Sequence, residues 1–441
     1  MSGTVTSPGE ADFPPVRGAP YLLFTLTGAC LLSFVDRFTL NVLLGSIKGS
    51  MHLSDAQIGL LVGFAFSVFY SVMAMPFGWM VDRWNRRNLI LIGLVLWSMA
   101  TAASGLATNF GQLLTARIFV GVGEATLMPA AYSMLSDAFP PRQRGRAFGI
   151  FSMAVYAGGG IALVLGGVLL LLARQFVETI SAFSGMEPWH LVFLMVGAVG
   201  VPMAILMAAI PEPVRRKPTT ATIQGASLLR YIWSERRAFG WVLLVYTLYT
   251  YVTYGVLPWA PTLMSRKFDL EPAQAGLMIG LVTLAGGVVG ALAGGAMSDR
   301  WIARGTQGGR MRAMLPCWIG TAVAVPCFAF APTANLAAAG YFLFILSNSF
   351  GYVSMSATFQ DMVAPALRGR MTSFWYLVTY IGTGVGPLVT GLLTDRWFGS
   401  PAALPQALVL MSLPIIAVSL VCTLISLPLY DGVRAKVRGA A

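Results

Sequence analysis

Long apolar stretches follow one another along the chain, separated by short polar breaks. They fall near 21–47, 55–81, 88–107, 110–138, 143–174 and 190–210, and again near 239–265, 272–298, 312–331, 335–363, 370–395 and 404–430. A bilayer core about 30 Å thick is crossed by ~20 helical residues. Lipid offers no partners for open backbone groups, so runs of this length predict helices rather than the short alternating strands of a barrel. The pattern predicts an all-α polytopic membrane protein with twelve transmembrane helices.

The longest break, 211–238, opens with Pro211, Glu212 and Pro213 and carries Arg215, Arg216 and Lys217. It divides the chain into an N-terminal six-helix bundle (21–210) and a C-terminal one (239–430), with cytoplasmic tails at 1–20 and 431–441. Within this linker, 228–237 predicts a short interfacial amphipathic helix anchored by Tyr231 and Trp233. The halves repeat one another. Gly78, Asp82, Arg83 and Trp84 recur as Gly295, Asp299, Arg300 and Trp301; Arg144, Gly145 and Arg146 recur as Arg368, Gly369 and Arg370. In that second register Tyr156, Gly158, Gly160 and Gly167 fall on Tyr380, Gly382, Gly384 and Gly391 without a gap. Two pseudo-symmetric halves around a midplane site are a transporter architecture.

Composition agrees with this picture. Residues are 56% hydrophobic and 10% charged, against ~25% charged in a soluble domain, too few for a solvated shell. The net charge of +12 reflects topology rather than nucleic-acid binding. Lys48, Arg174, Arg266, Lys267 and Arg396 fall on outer loops, and Arg37 and Arg117 inside spans. The other Lys and Arg lie on segments that are cytoplasmic when both termini are. The setting expected is a cell (inner) membrane, with the chain a monomer in its bilayer. Residues 1–20 lack a basic n-region and a cleavage site, which predicts an uncleaved first span. Cys30, Cys317, Cys327 and Cys422 lie in apolar runs without close partners, so free thiols are expected. His52 and His190 stand near outer loops, with no paired metal-ligand motif, nucleophile–base pair or phosphate-binding loop. These features argue against an enzyme, a cofactor and ATP hydrolysis, and leave secondary transport ahead of a channel or sensor.

Gly78, Asp82, Arg83, Arg86 and Arg87 resemble the loop 2–3 signature of the major facilitator superfamily, except that Asn85 stands where glycine is usual. In the second-half copy Arg304 and Arg310 are displaced from the expected places. Arg117, Gly121, Gly123, Glu124 and Ala125 resemble the fourth-helix motif of the same superfamily. With Phe34, Asp36, Arg37 and Thr39 in the first span, they are similar to its spinster branch of lysolipid and sphingolipid transporters. The superfamily resemblance covers nearly the whole chain; the spinster likeness rests mainly on residues 30–170. Leu163 aligns with Pro387 of the eleventh span, which departs from the fifth-helix signature of drug exporters.

A helix N-terminus carries partial positive charge, so Asp82 can latch the two halves against the start of the eleventh span at Arg368. By pseudo-symmetry Asp299 faces the start of the fifth near Arg144. Gly78, Asp82, Arg83, Arg86, Asp299, Arg144 and Arg368 are therefore the gating candidates, although most of these arginines also satisfy topology. Asp36, Arg37, Arg117 and Glu124 lie deep in the membrane, where each charge costs ~2.5–3.5 kcal/mol and must face protein or a water-filled cavity. Arg117 and Glu124 are two turns apart on one helix face, with Asp36 between them in depth. Such a set either serves transport or holds helices together. Asp36 and Glu124 are the candidates for proton coupling, each with an arginine in reach along its own helix.

The second half offers hydroxyls and aromatics instead. Tyr246, Thr250 and Thr253 form one helical stripe; Asn348, Tyr352 and Ser356 form another. Arg37, Arg117, Tyr249, Tyr254, Asn348 and Tyr352 are the substrate-binding candidates. A cavity charged on one wall and aromatic on the other suits a small amphiphilic or anionic substrate. The expectation is alternating access with a proton as coupling ion and a lysophospholipid or sphingolipid-like cargo; the alternative is a sialin-like organic-anion/proton symporter.

Overall fold

A computed structural model describes residues 18–183, 185–215, 228–364 and 367–439. Among these residues, twelve helical spans are long and apolar enough to cross a membrane. The first half comprises α1 (Ala19–Met51), α2 (Asp55–Arg83), α3 (Arg86–Ser104), α4 (Phe110–Ala138), α5 (Arg146–Thr179) and α6 (Pro188–Ala208). The second comprises α7 (Arg236–Phe268), α8 (Pro272–Ala303), α9 (Gly309–Phe330), α10 (Ala334–Asp361), α11 (Phe374–Trp397) and α12 (Pro401–Val437). Among the described residues there is no strand.

Local chemistry explains where the chain turns. α1 stops at His52, which takes a left-handed conformation (φ 53°) and returns its N–H to Lys48 O. Two residues later Ser54 and Gln57 form a reciprocal capping box that starts α2, satisfying donors that a helix start leaves open. Pro272 and Pro188 occupy first-turn positions of α8 and α6, where a missing N–H costs nothing.

Packing repeats between the halves: α1 lies on α5 as α7 lies on α11, and α3 on α6 as α9 on α12. The halves meet along two crossings, α2 with α11 and α5 with α8. Both are built for backbone approach. A Cβ on Gly63 of α2 would lie 2.5 Å from Gly384 O of α11, and one on Gly160 of α5 would lie 2.9 Å from Gly280 O of α8. Each helix of the first crossing carries one π-turn, Leu60–Phe64 and Leu393–Trp397; such turns recur at functional sites. Pro387 packs here, with its Cγ 3.0 Å from where a Gly63 Cβ would stand.

Two segments differ from expectation. The helix of α12 continues to Gly439, through most of the stretch expected to be a tail. Asp431 accepts from Gly308 N (2.6 Å) and Val433 is buried there, which ties the end down. The linker helix forms at Leu228–Ser234, but Tyr231 faces protein rather than lipid. Its hydroxyl donates to Met362 O (3.0 Å) and its ring meets Phe239 edge-on. Residues 1–17 of the predicted N-terminal tail and 216–227 of the linker lie outside the described residues.

Candidate functional site

The charged wall is assembled by α1 and α4. α4 is interrupted at Ala125–Thr126, just after Glu124, and the Thr126 hydroxyl donates to Gly123 O (2.9 Å). A Cβ on Gly123 would strike Gly93 O of α3 at 2.7 Å, so the motif glycine lets α4 lie close on α3 and carries Glu124 inward.

The four deep charges pair across helices, not along them. Arg117 Nη1 donates to Asp36 Oδ1 (3.0 Å) and the Thr101 hydroxyl donates to Asp36 Oδ2. Arg37 Nη2 donates to Glu124 Oε2 (2.6 Å). This corrects the expectation that each carboxylate is served by the arginine on its own helix. Adjacent residues on a helix point about 100° apart, and here Asp36 and Arg37 turn to different partners on α4.

A central cavity of about 260 Å³ opens on only one of these pairs. Arg37 and Glu124 line it; Asp36 and Arg117 are buried behind it and do not. Arg117, expected to bind substrate, is thereby placed out of its reach in this state. Arg37 lies over the ring of Phe66 (4.1 Å), with Tyr70 and Phe34 farther off, an arrangement that stabilises a guanidinium away from bulk water. Glu124 Oε1 is buried and has no hydrogen-bond partner among the described residues.

The opposite wall comes from α7, α10 and α11. Tyr249, Tyr254, Asn348 and Tyr352 all line the cavity. Tyr249 donates to Asn348 O (2.9 Å) and Thr253 to Asn348 Oδ1 (2.6 Å), while Asn348 Nδ2 donates to Phe344 O (2.8 Å). The amide is thus held rigidly. Tyr246 is turned away, donating to Thr358 (3.1 Å). Sequence reasoning missed the aromatic bridge between the halves: Tyr70 of α2 stacks on Tyr380 of α11 with centroids 5.1 Å apart, and Tyr376 lies beside Tyr380. The available signal was Tyr380 itself, which appeared only as a repeat marker.

The gating candidates separate. Asp82 is exposed, makes no ion pair among the described residues, and only its backbone oxygen is engaged, by Arg215. Gly78 has open space around it, and Arg83 lies over Trp79 (4.1 Å). The side chain of Arg368 is outside the described residues, and Arg144 is half-buried without an ion pair to Asp299. The expected latches from Asp82 and Asp299 are therefore not made in this state. Arg86 is not between the halves at all: it is buried within the first, bonded to Asp137, Ser133 (2.9 Å), Glu212 (2.7 Å) and Pro213 O (2.7 Å). Asp299 pairs with Arg310 (2.9 Å), which also reaches Asp361 (3.4 Å). The displaced Arg310 thereby reproduces around Asp361 what Arg86 does around Asp137.

The other end of the molecule is locked. Asp55, fully buried at the start of α2, receives both Arg266 nitrogens (2.6 and 2.8 Å) and Lys48 Nζ (2.5 Å). Asp395 on the π-turn of α11 accepts from the backbone N–H of Asp55 (3.1 Å) and Ala56 (2.6 Å), capping α2 from the opposite half. Arg174 of α5 pairs with Glu271 before α8 (2.6 Å). These charges sit at polar breaks; Lys48, Arg174 and Arg266 entered the sequence reading only as topology markers, and Asp55, Glu271 and Asp395 not at all.

The chain is 27% identical over 386 residues to protein spinster homolog 1 of Xenopus tropicalis, covering 83% of this chain and 71% of that protein. It is 24% identical over 391 residues to a hexuronate transporter of Bacillus subtilis, covering 86% and 88%. It superimposes on a bacterial homologue of the human lysosomal transporter spinster, in an inward-facing and unoccupied conformation, with TM-score 0.80 and 26% identity over 97% of this chain and 99% of that one. The family model described as Major Facilitator Superfamily matches residues 26–307 and 242–440. The chain resembles the spinster branch of transporters, and it belongs to the Major Facilitator Superfamily.

Proposed function

We propose that this transporter moves an amphiphile with an anionic or zwitterionic head, of the lysophospholipid or sphingolipid kind, coupled to protons by alternating access. The Asp55 end is read as the outer side of an inner membrane, with both termini cytoplasmic, so the present state is open inward. The observation that carries the reading is the cavity-facing pair of Arg37 and Glu124, opposite a tyrosine wall. A guanidinium favours the charged form of a carboxyl and desolvation favours the neutral form. A substrate head group that takes Arg37 removes the counter-ion of Glu124, and the carboxyl then takes up a proton. The Asp36–Arg117 pair lies one layer behind and is the second proton-coupling candidate.

Proteoliposome flux under imposed pH gradients, run against a lysolipid panel, tests this. Glu124→Gln is expected to abolish pH-driven accumulation while retaining ligand binding; accumulation at the parental rate would overturn the coupling role. Tyr249→Ala or Tyr254→Ala is expected to weaken long-chain ligands roughly tenfold more than short ones, a loss on the scale of one aromatic contact. A second reading, an organic-anion/proton symporter, is favoured by the likeness to a hexuronate transporter and by a cavity just under the ~300–1,000 Å³ of drug-sized sites. Equal losses for long and short chains, with tight binding of sugar acids, would select it.

A further inference from the structure

A second cavity, about 380 Å³, opens where α7 begins and α12 ends, at the same end of the molecule as Asp82. Glu235, Arg236, Arg237, Pro428, Gly432 and Lys436 are among its walls. Lys436 Nζ donates to Glu235 Oε1 (2.6 Å), so the acidic wall is already neutralised. Arg236 and Arg237 are exposed and pair with no carboxylate among the described residues; Arg236 donates to Trp233 O and lies over its ring. A Cβ on Gly432 would meet nothing within 4 Å, so that wall faces open space.

The surroundings say which anion fits. The cavity lies at the boundary of two membrane spans, Arg236 being the first residue of α7 and Val437 the last of α12. Beside it the linker helix, pinned by Tyr231, leaves Trp233 71% and Leu229 65% exposed. An exposed tryptophan and leucine next to unpaired cations at a span boundary match the headgroup layer, where tryptophan collects and basic pockets between helices hold lipid phosphates. A soluble anion has no use for the apolar rim.

We propose that this cavity binds the phosphate of an anionic phospholipid, held by Arg236 and Arg237 with the headgroup against Gly432 and the chains beside Trp233 and Leu229. The test uses the full-length protein in nanodiscs, with spin-labelled phosphatidylglycerol or phosphatidylcholine as probe and inorganic phosphate as competitor. Phosphatidylglycerol is expected to bind the parent selectively and to resist millimolar phosphate. Each interfacial cation is worth about a fivefold factor toward an anionic lipid. The Arg236→Gln, Arg237→Gln double variant is thus expected to lose on the order of twentyfold. Gly432→Trp keeps every charge and fills the cavity, and is expected to lose selectivity comparably. Parental binding in either variant overturns the site; loss in the arginine variant alone means a charged surface and not a cavity. Displacement by inorganic phosphate assigns a soluble anion instead. An unchanged thermal melting transition certifies that each variant is folded.

Discussion

Three buried or half-buried arginines show how one residue type takes different work from its surroundings. Arg86 is enclosed by Asp137, Glu212, Ser133 and Pro213 O, and Arg117 by Asp36; Arg37 is the one of the three that faces the cavity. Removing one member of a buried pair costs about 3–5 kcal/mol because the other charge is stranded. Arg86→Gln and Asp36→Asn should therefore both lower thermal stability by amounts of that order in detergent. Glu124→Gln leaves Arg37 beside the cavity and on Phe66, and should lower it by about half as much or less. Equal melting temperatures across the three variants would remove the distinction between enclosed and cavity-facing pairs. From the sequence, all four deep charges were legible as exceptional, because an ionisable residue in an apolar run has few reasons to be there. Their pairing was not, since it depends on the relative rotation of α1 and α4, which no single helix encodes.

At the scale of elements, the crossing of α2 and α11 carries the closed end. Its glycines at 59, 63 and 384 allow backbone contact, and the two π-turns bring the start of α2 within reach of Asp395. Gly63→Val adds a Cβ, which would itself lie 2.5 Å from Gly384 O, and two γ-methyl groups beyond it. Overpacking of this kind typically costs about 1–3 kcal/mol, and splaying α2 from α11 is the direct relief. Spin-label distances across the Asp55 end should lengthen in that variant and stay unchanged for Gly78→Val, where the added atoms meet open space. The spans themselves were readable from hydropathy, and the repeat pointed to the register of Gly160 with Gly384. Asp55, Arg266 and Asp395 were not readable as a lock, because residues far apart in sequence that sit at polar breaks look like ordinary loop charges until the helices are assembled.

For the whole molecule, the two ends compete. Locking charges occupy the Asp55 end, while Asp82 at the other end makes no ion pair among the described residues. Asp82→Asn should leave the present state as populated as before or more so, since it weakens only the opposite latch. Arg266→Gln should depopulate it, and paired-label distances at both ends should move in opposite directions for the two variants. Identical distance distributions would mean that neither Asp82 nor the Arg266–Asp55 pair biases the equilibrium. The glycine-to-backbone seal has an electrical consequence as well. Where two backbones touch there is no column of water, whereas a hydrated central cavity is nearly isopotential with the bath it opens to. The membrane voltage then falls mostly across the thin sealed layer rather than across the full ~30 Å of hydrocarbon. One elementary charge moved through that layer exchanges about 2.3 kcal/mol per 100 mV. With the Asp55 end outward, as proposed, a proton passing between the outer bath and Glu124 would cross nearly all of that drop. Transport of a zwitterion with one proton should therefore respond to a potassium-clamped potential even with pH equal on both sides, whereas a monoanion would cancel the proton's charge and the response.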